Sequence, residues 1–180
     1  MRRPFILLPA LLLAACNGPA APAGTDYQEL PADMVTVGMR YYSTEGDRRT
    51  AELRADTAYE FQDSAGYSLR GVDLKIFDES TGQQTATLTS ERGTFNRNTE
   101  SMIARGNVVL VTSDGYRIET PELLYDPAAG RMESDSTSVI IQDGERTTAR
   151  DGFIATGVQG GRIGNVRLRR PTGSVGLVIF

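Results

Sequence analysis

Tyr67-Ser68-Leu69-Arg70-Gly71-Val72-Asp73-Leu74-Lys75-Ile76-Phe77 places its apolar residues at every second position, but on two phases. Tyr67 and Leu69 are odd-numbered, Val72, Leu74 and Ile76 are even, and Gly71 stands at the change. A period of two is the pattern of a half-buried strand. One inserted residue turns every later side chain to the other face, and glycine is favoured at such points. The stretch therefore reads as one long strand bent near its middle.

The same break recurs along the chain. Ala86 and Leu88 are even and Phe95 odd, with Gly93 between; Tyr116 and Ile118 are even and Leu123 and Tyr125 odd, with Pro121 in the gap. Residues 51–61 show no clear change of phase. Residues 49–59 are rich in helix formers, yet their neighbours are strand-like, and the strand reading is preferred.

Turn signals separate these runs: Glu45-Gly46-Asp47, Asp63 to Gly66, Ser80-Thr81-Gly82, Asn96-Arg97-Asn98, Ser113-Asp114-Gly115, Asp126 to Gly130, and Asp143-Gly144. Gly, Asp and Asn supply the tight conformations that hairpins need. Runs of about a dozen residues between them exceed the ~5–6 of a typical strand, which again favours bent strands. A weak repeat underlies the pattern. Leu53-x-Ala55-Asp56-x-Ala58-Tyr59 returns as Leu88-x-Ser90-Glu91-x-Gly93-x-Phe95, as Ile118-x-Thr120-Pro121-Glu122-x-Leu124-Tyr125, and as Thr147-x-Ala149-x-Asp151-Gly152-Phe153. Arg70-Gly71-Val72 returns 35 residues later as Arg105-Gly106-Asn107-Val108. Strand pairs that cannot bury their own apolar face stack into an elongated sheet.

Composition narrows the chemistry. The 180 residues include no histidine, no tryptophan and one cysteine, with a formal charge of −4. A His-based triad or a His-ligated zinc site is excluded, as is an intramolecular disulfide. The acidic balance argues against nucleic acid, whose binding depends on Lys and Arg. The 23 acidic residues fall mostly in turns or beside Arg and Thr, as a solvated surface places them. No phosphate loop, nucleophile elbow or metal-ligand cluster is present. Neither catalysis nor a cofactor is expected.

The N-terminus is an address. Arg2-Arg3 precede eleven mostly apolar residues ending in small ones, the form of a secretory signal peptide and well short of the ~20 residues of a spanning helix. Leu13-Ala14-Ala15-Cys16 has the form of a bacterial lipobox, so residues 1–15 read as a lipoprotein signal peptide and Cys16 as the lipidated residue. Cleavage would remove Arg2 and Arg3 and take the formal charge from −4 to −6. Residues 16–32, small and Pro-interrupted, read as the lipidated N-terminus and a flexible tether.

Taken in order, Ala104-Arg105-Gly106-Asn107-Val108-Val109-Leu110, Asp114-Gly115-Tyr116-Arg117-Ile118-Glu119-Thr120-Pro121-Glu122-Leu123-Leu124-Tyr125-Asp126, Glu133-Ser134 and Ala149-Arg150-Asp151-Gly152-Phe153 resemble the LptC/LptA (OstA-like) family of periplasmic lipopolysaccharide export. The resemblance covers roughly residues 35–168. It implies an all-β fold over residues 33–170: a bent, V-shaped antiparallel β-jellyroll with open ends and an apolar interior groove. It also implies partners: lipopolysaccharide through its lipid A part, the periplasmic domain of an inner-membrane exporter, and an LptA-like bridge protein. A membrane tether fits the LptC-like role, with the chain in the periplasm and the anchor at the inner membrane. Two features depart from the family. The anchor is a lipid on Cys16 rather than a spanning helix, and residues 171–180 form a tail with no assigned role.

For the groove the expected residues are Leu69, Leu74, Ile76, Leu88, Phe95, Val108, Leu110, Ile118, Tyr125 and Phe153. Residues 162–170 alternate apolar and basic and end at Pro171; Ile163, Val166 and Leu168 are expected on a partner-docking edge. An alternative function is a structural or adaptor lipoprotein that recruits envelope partners without holding lipid. A continuous groove would favour transport, and a closed, filled core the adaptor.

Overall fold

Alternation dominates the folded chain because each strand lies between a solvated and a buried face. A computed structural model describes residues 32–61 and 65–173. They form twelve strands, β1 (Met34–Glu45), β2 (Arg48–Glu60), β3 (Gly66–Phe77), β4 (Gln84–Asn96), β5 (Met102–Thr112), β6 (Tyr116–Asp126), β7 (Arg131–Ser134), β8 (Ser138–Gln142), β9 (Glu145–Ala149), β10 (Phe153–Thr156), β11 (Asn165–Leu168) and β12 (Pro171–Gly173). All belong to one antiparallel sheet, and no helix occurs among the described residues. The expected all-β class holds. β2 is a strand throughout, because ladders to β1 and β3 on its two sides override its helix propensity.

From β1 to β6 each strand pairs with the next. β6 then forks: its first half pairs with β8 and its second half with β7. One branch continues through β10 to β11, and the other through β9 to β12.

A crease crosses each of the strands β1 to β6. The ladders step over it at matching places: Ala55↔Val72 and Thr57↔Arg70 leave Asp56 facing Gly71, while Arg70↔Arg92 and Val72↔Ser90 leave Gly71 facing Glu91. Farther on it passes Gly106-Asn107 and Pro121, where the β5–β6 register shifts between Arg105 and Val108. Past the fork it falls between β7 and β8, β9 and β10, and β11 and β12. The sheet is thereby folded into two arms. The first comprises residues 39–45, 48–55, 72–77, 84–90, 108–112 and 116–120 with β8, β9 and β12; the second comprises 34–37, 57–60, 66–70, 92–96, 102–105 and 122–126 with β7, β10 and β11. This is the bent β-jellyroll expected.

The crease accounts for the 35-residue repeat. Gly71 has φ +62° and Gly106 φ +77°, the left-handed region that side chains disfavour. A Cβ on Gly71 would lie 2.0 Å from Asp56 Oδ2, and one on Gly106 would lie 2.6 Å from Glu91 Oε2. A carboxylate on one strand thus occupies the space a glycine leaves on the next, at Asp56/Gly71 and again at Glu91/Gly106. Asn107 Nδ2 donates to Glu91 Oε1 at 2.5 Å.

Two details differ from the sequence reading. β4 breaks at Glu91 rather than Gly93, which pairs regularly with Leu69 and Ala104. Gly93 is there because a Cβ would stand 3.1 Å from Met102 Cε and 3.3 Å from Val72 Cγ2. β2, in which no change of phase was evident, does change, at Asp56: Leu53 and Ala55 are buried before it and Ala58 after it.

The arms press their inner faces together. Leu110, Ile118, Ile140, Met132, Ala104 and Phe153 are fully buried at 0% exposure. At the fork a buried hydroxyl chain joins three strands: Ser138 Oγ donates to Thr120 Oγ1 at 3.0 Å, and Thr120 and Ser134 hydroxyls meet at 2.9 Å. Ser134 is the second residue of the Glu133-Ser134 motif, so that motif marks where β6 changes partner.

Candidate functional site

The arms part on the side of β1, β2 and β3. There they enclose a cleft of about 830 Å³, within the ~300–1,000 Å³ typical of small-molecule sites. Its apolar lining includes Leu53, Leu74 and Ile76 from the first arm and Phe95 and Met102 from the second. Its polar lining includes Ser43, Glu45, Asp78, Glu79, Glu100 and Arg162.

Strand periodicity explains the apolar part. Tyr41, Leu53, Leu74 and Leu88 stand opposite one another on successive strands, so a single inward row runs from β1 into the core. At the edge the row meets a gap because β1 offers Tyr41 and Ser43 where deeper strands offer aliphatics. The Tyr41 and Phe95 rings lie 4.9 Å apart and tilted by 58°, linking the arms over the cleft.

Two bridges cross its mouth. Glu100, in the β4–β5 turn at φ +55°, accepts hydrogen bonds from Ser43 Oγ at 2.7 Å and Tyr41 Oη at 3.4 Å. Residues 157–164, the strap joining β10 to β11, reach from the second arm to the tips of the first. The Ile163 amide donates to Asp114 Oδ2 at 2.9 Å, Thr85 Oγ1 donates to the Gly160 carbonyl, and Arg162 stands 3.7 Å from Asp78. A Cβ on Gly161 would lie 2.8 Å from Ala86 Cβ, so the strap packs against β4 where only glycine fits. Beyond it the core is filled.

The electrostatics follow from this arrangement. Burial, then Glu100, Asp126 and Glu79, push the Tyr125 phenol up to about 12, so it stays a neutral donor. Tyr41 is raised by burial and by Glu100. Asp78 is lowered to about 2 by hydrogen bonds from Ser80 and Thr81 and remains ionised.

Of the ten groove residues expected, Leu74, Ile76, Phe95 and Tyr125 line the cleft. Leu69, Leu88, Val108, Leu110, Ile118 and Phe153 lie in the packed core and not on the cleft wall. Val166 and Leu168 sit on β11, which ends one branch of the sheet, with their side chains turned into the core. Ile163 precedes that strand and lines the cleft. Tyr41, Ser43, Glu100 and the strap were not anticipated. The Met39, Tyr41, Ser43 alternation on β1 was the available signal for the first two. Cys16 lies outside the described residues. Among those described, no group of three or more metal-ligating side chains occurs and no helix is long and apolar enough to cross a membrane.

Architecture and cleft together define a class: an open-edged β-jellyroll whose folded sheet holds an apolar-floored, polar-rimmed space between its arms. Residues 8–151 match the family described as "Lipopolysaccharide-assembly, LptC-related", and the chain belongs to that family. A search of curated proteins gives no match. Membership assigns the chain a part in lipopolysaccharide assembly and transport.

Proposed function

We propose that this chain is a lipid-anchored periplasmic carrier, tethered at the inner membrane through Cys16. It receives lipopolysaccharide from the exporter's periplasmic domain and passes it to an LptA-like bridge. The observation that carries the reading is the cleft. Acyl chains cannot cross an aqueous compartment exposed, and Leu53, Leu74, Ile76, Phe95 and Met102 offer them an apolar wall. Among the described residues the sheet ends at β1, β11 and β12, and two of these ends suit the two partners: β1, where Met34, Val35 and Val37 are 50%, 52% and 79% exposed, and β11, which carries Val166 and Leu168. Strand addition at such edges is an established docking mode.

A photoreactive residue at Phe95 should crosslink lipopolysaccharide, and Leu74→Gln should abolish that crosslink in a protein that still folds. Unchanged crosslinking would remove the cleft from the path. Deleting residues 163–180 should abolish capture of the bridge protein, and Cys16→Ser should release the chain from membranes. The filled core beyond the strap favours a second reading, an adaptor that recruits envelope partners without lipid. Failure of any lipid to crosslink at Phe95 would select it.

A further inference from the structure

The rim of the cleft has a definite charge. Glu45, Asp78, Glu79 and Glu100 line it, and Arg162 is the cation among its lining residues. Arg48 lies just outside, with its guanidinium donating to the carbonyls of Glu79 and Ser80; counted in, it still leaves carboxylates in excess. Arg49 is held by Glu52 at 2.9 Å and stacked over Tyr42 at 4.4 Å. The negative field reaches inward, since Glu100 and Glu79 both help keep the Tyr125 phenol protonated. Interleaved with the carboxylates are the hydroxyls of Tyr41, Ser43, Thr50, Ser80 and Tyr125.

Carboxylates accept charge-assisted hydrogen bonds from hydroxyl donors, whereas a phosphate brought against them meets like charge across a short distance. We infer that the rim is a selectivity element: it takes the hydroxyl-bearing face of a glycolipid sugar and turns phosphate groups out of the cleft. This rests on the lipid-carrier reading above and deepens it. Acyl chains lie on the apolar floor, sugar hydroxyls meet the rim, and phosphates face water.

The test uses the mature full-length chain in detergent and two probes, bis-phosphorylated lipid A and the same lipid with its phosphates removed. At low ionic strength the dephosphorylated lipid should bind at least about threefold more tightly, and added salt should narrow the ratio because the rim is solvent-exposed. Glu45→Gln with Glu79→Gln, both at exposed positions, should bring the ratio close to one. Glu119→Gln, on the outer face of the first arm and paired with Arg117, should leave it unchanged. Equal or tighter binding of the phosphorylated lipid, or a ratio indifferent to the double substitution, would overturn the selectivity while leaving the carrier reading intact. If neither lipid binds, the carrier reading fails and the selectivity with it.

Discussion

The two ends of the folded sheet are built from the same alternation and packed differently. Around β6 to β10 the arms interdigitate completely, with Ile118, Met132, Ile140 and Phe153 at 0% exposure. Around β1 to β3 they stand apart over a cleft of about 830 Å³, and Met34, Val35 and Val37 on the edge strand are left largely in water. An apolar inner face is therefore not enough to make a groove. What separates hollow from filled is where the strap comes down, at Thr85, Asp114 and Asp78.

The sharpest way to break this contrast is to truncate one phenylalanine from each end. Phe153→Ala should cost about 3–5 kcal/mol, the range for a large side chain removed from a packed core. Phe95→Ala, which enlarges an existing cleft, should cost less than half as much, or roughly 1–2 kcal/mol. Chemical denaturation of the two variants decides it, and equal losses would mean that the cleft is closed in solution.

Next comes the crease itself. A Cβ on Gly152 would lie 1.9 Å from the Ser134 carbonyl oxygen, whereas one on Gly71 would meet the flexible carboxylate of Asp56. Gly152→Ala should destabilise by more than about 2 kcal/mol and Gly71→Ala by nearer 1, chiefly from its positive φ. Thermal melts of both should rank them in that order, and a reversed ranking would show the filled end to be the more adaptable.

At the fork, Thr120→Val removes the hydroxyl that joins Ser134 and Ser138, at a cost of about 1–3 kcal/mol for stranded buried partners. A neutral result in denaturant titrations would mean that water enters there. The mildest effect shows only in alkali. Tyr125 has its folded-state value raised from 10.0 to about 12, so the folded chain retains a proton that the unfolded chain has lost, and stability falls as pH rises between those values. Tyr125→Phe should abolish that part of the loss, as measured by unfolding at successive pH values.

Much of the fold was legible because its devices are local. Gly71 and Pro121 mark the crease where a change of alternation announces it, and Gly, Asp and Asn mark the hairpins. At Asp56 and Glu91 the crease is formed by a carboxylate lying over a neighbouring strand's glycine, a relation between strands that no single run displays. β5 conceals its break for another reason. Gly106 and Asn107 together face the single Pro121 of β6, and with two residues at the crease Met102, Ala104, Val108 and Leu110 keep one parity across it. The cleft was less legible than the fold. Leu74 and Leu110 look alike in sequence, and only the strap's contacts, spanning 49 residues from Ile163 to Asp114 and 75 from Gly160 to Thr85, leave space beside one and none beside the other.

The strand order also bears on how the molecule is put together in time. From β1 to β6 each new strand needs only the one before it, so every step closes a short loop and loses little chain entropy. β6 differs, because it must hold β7 and β8 at once before β9 to β12 find their places, and such non-neighbouring pairings are the slow ones. In pulse-labelled refolding, amides of β2 to β5 should gain protection before those of β7 to β12; simultaneous protection would contradict this order. The strap follows β10, so the cleft's two walls, carried by β2 to β5, form early and its roof comes last.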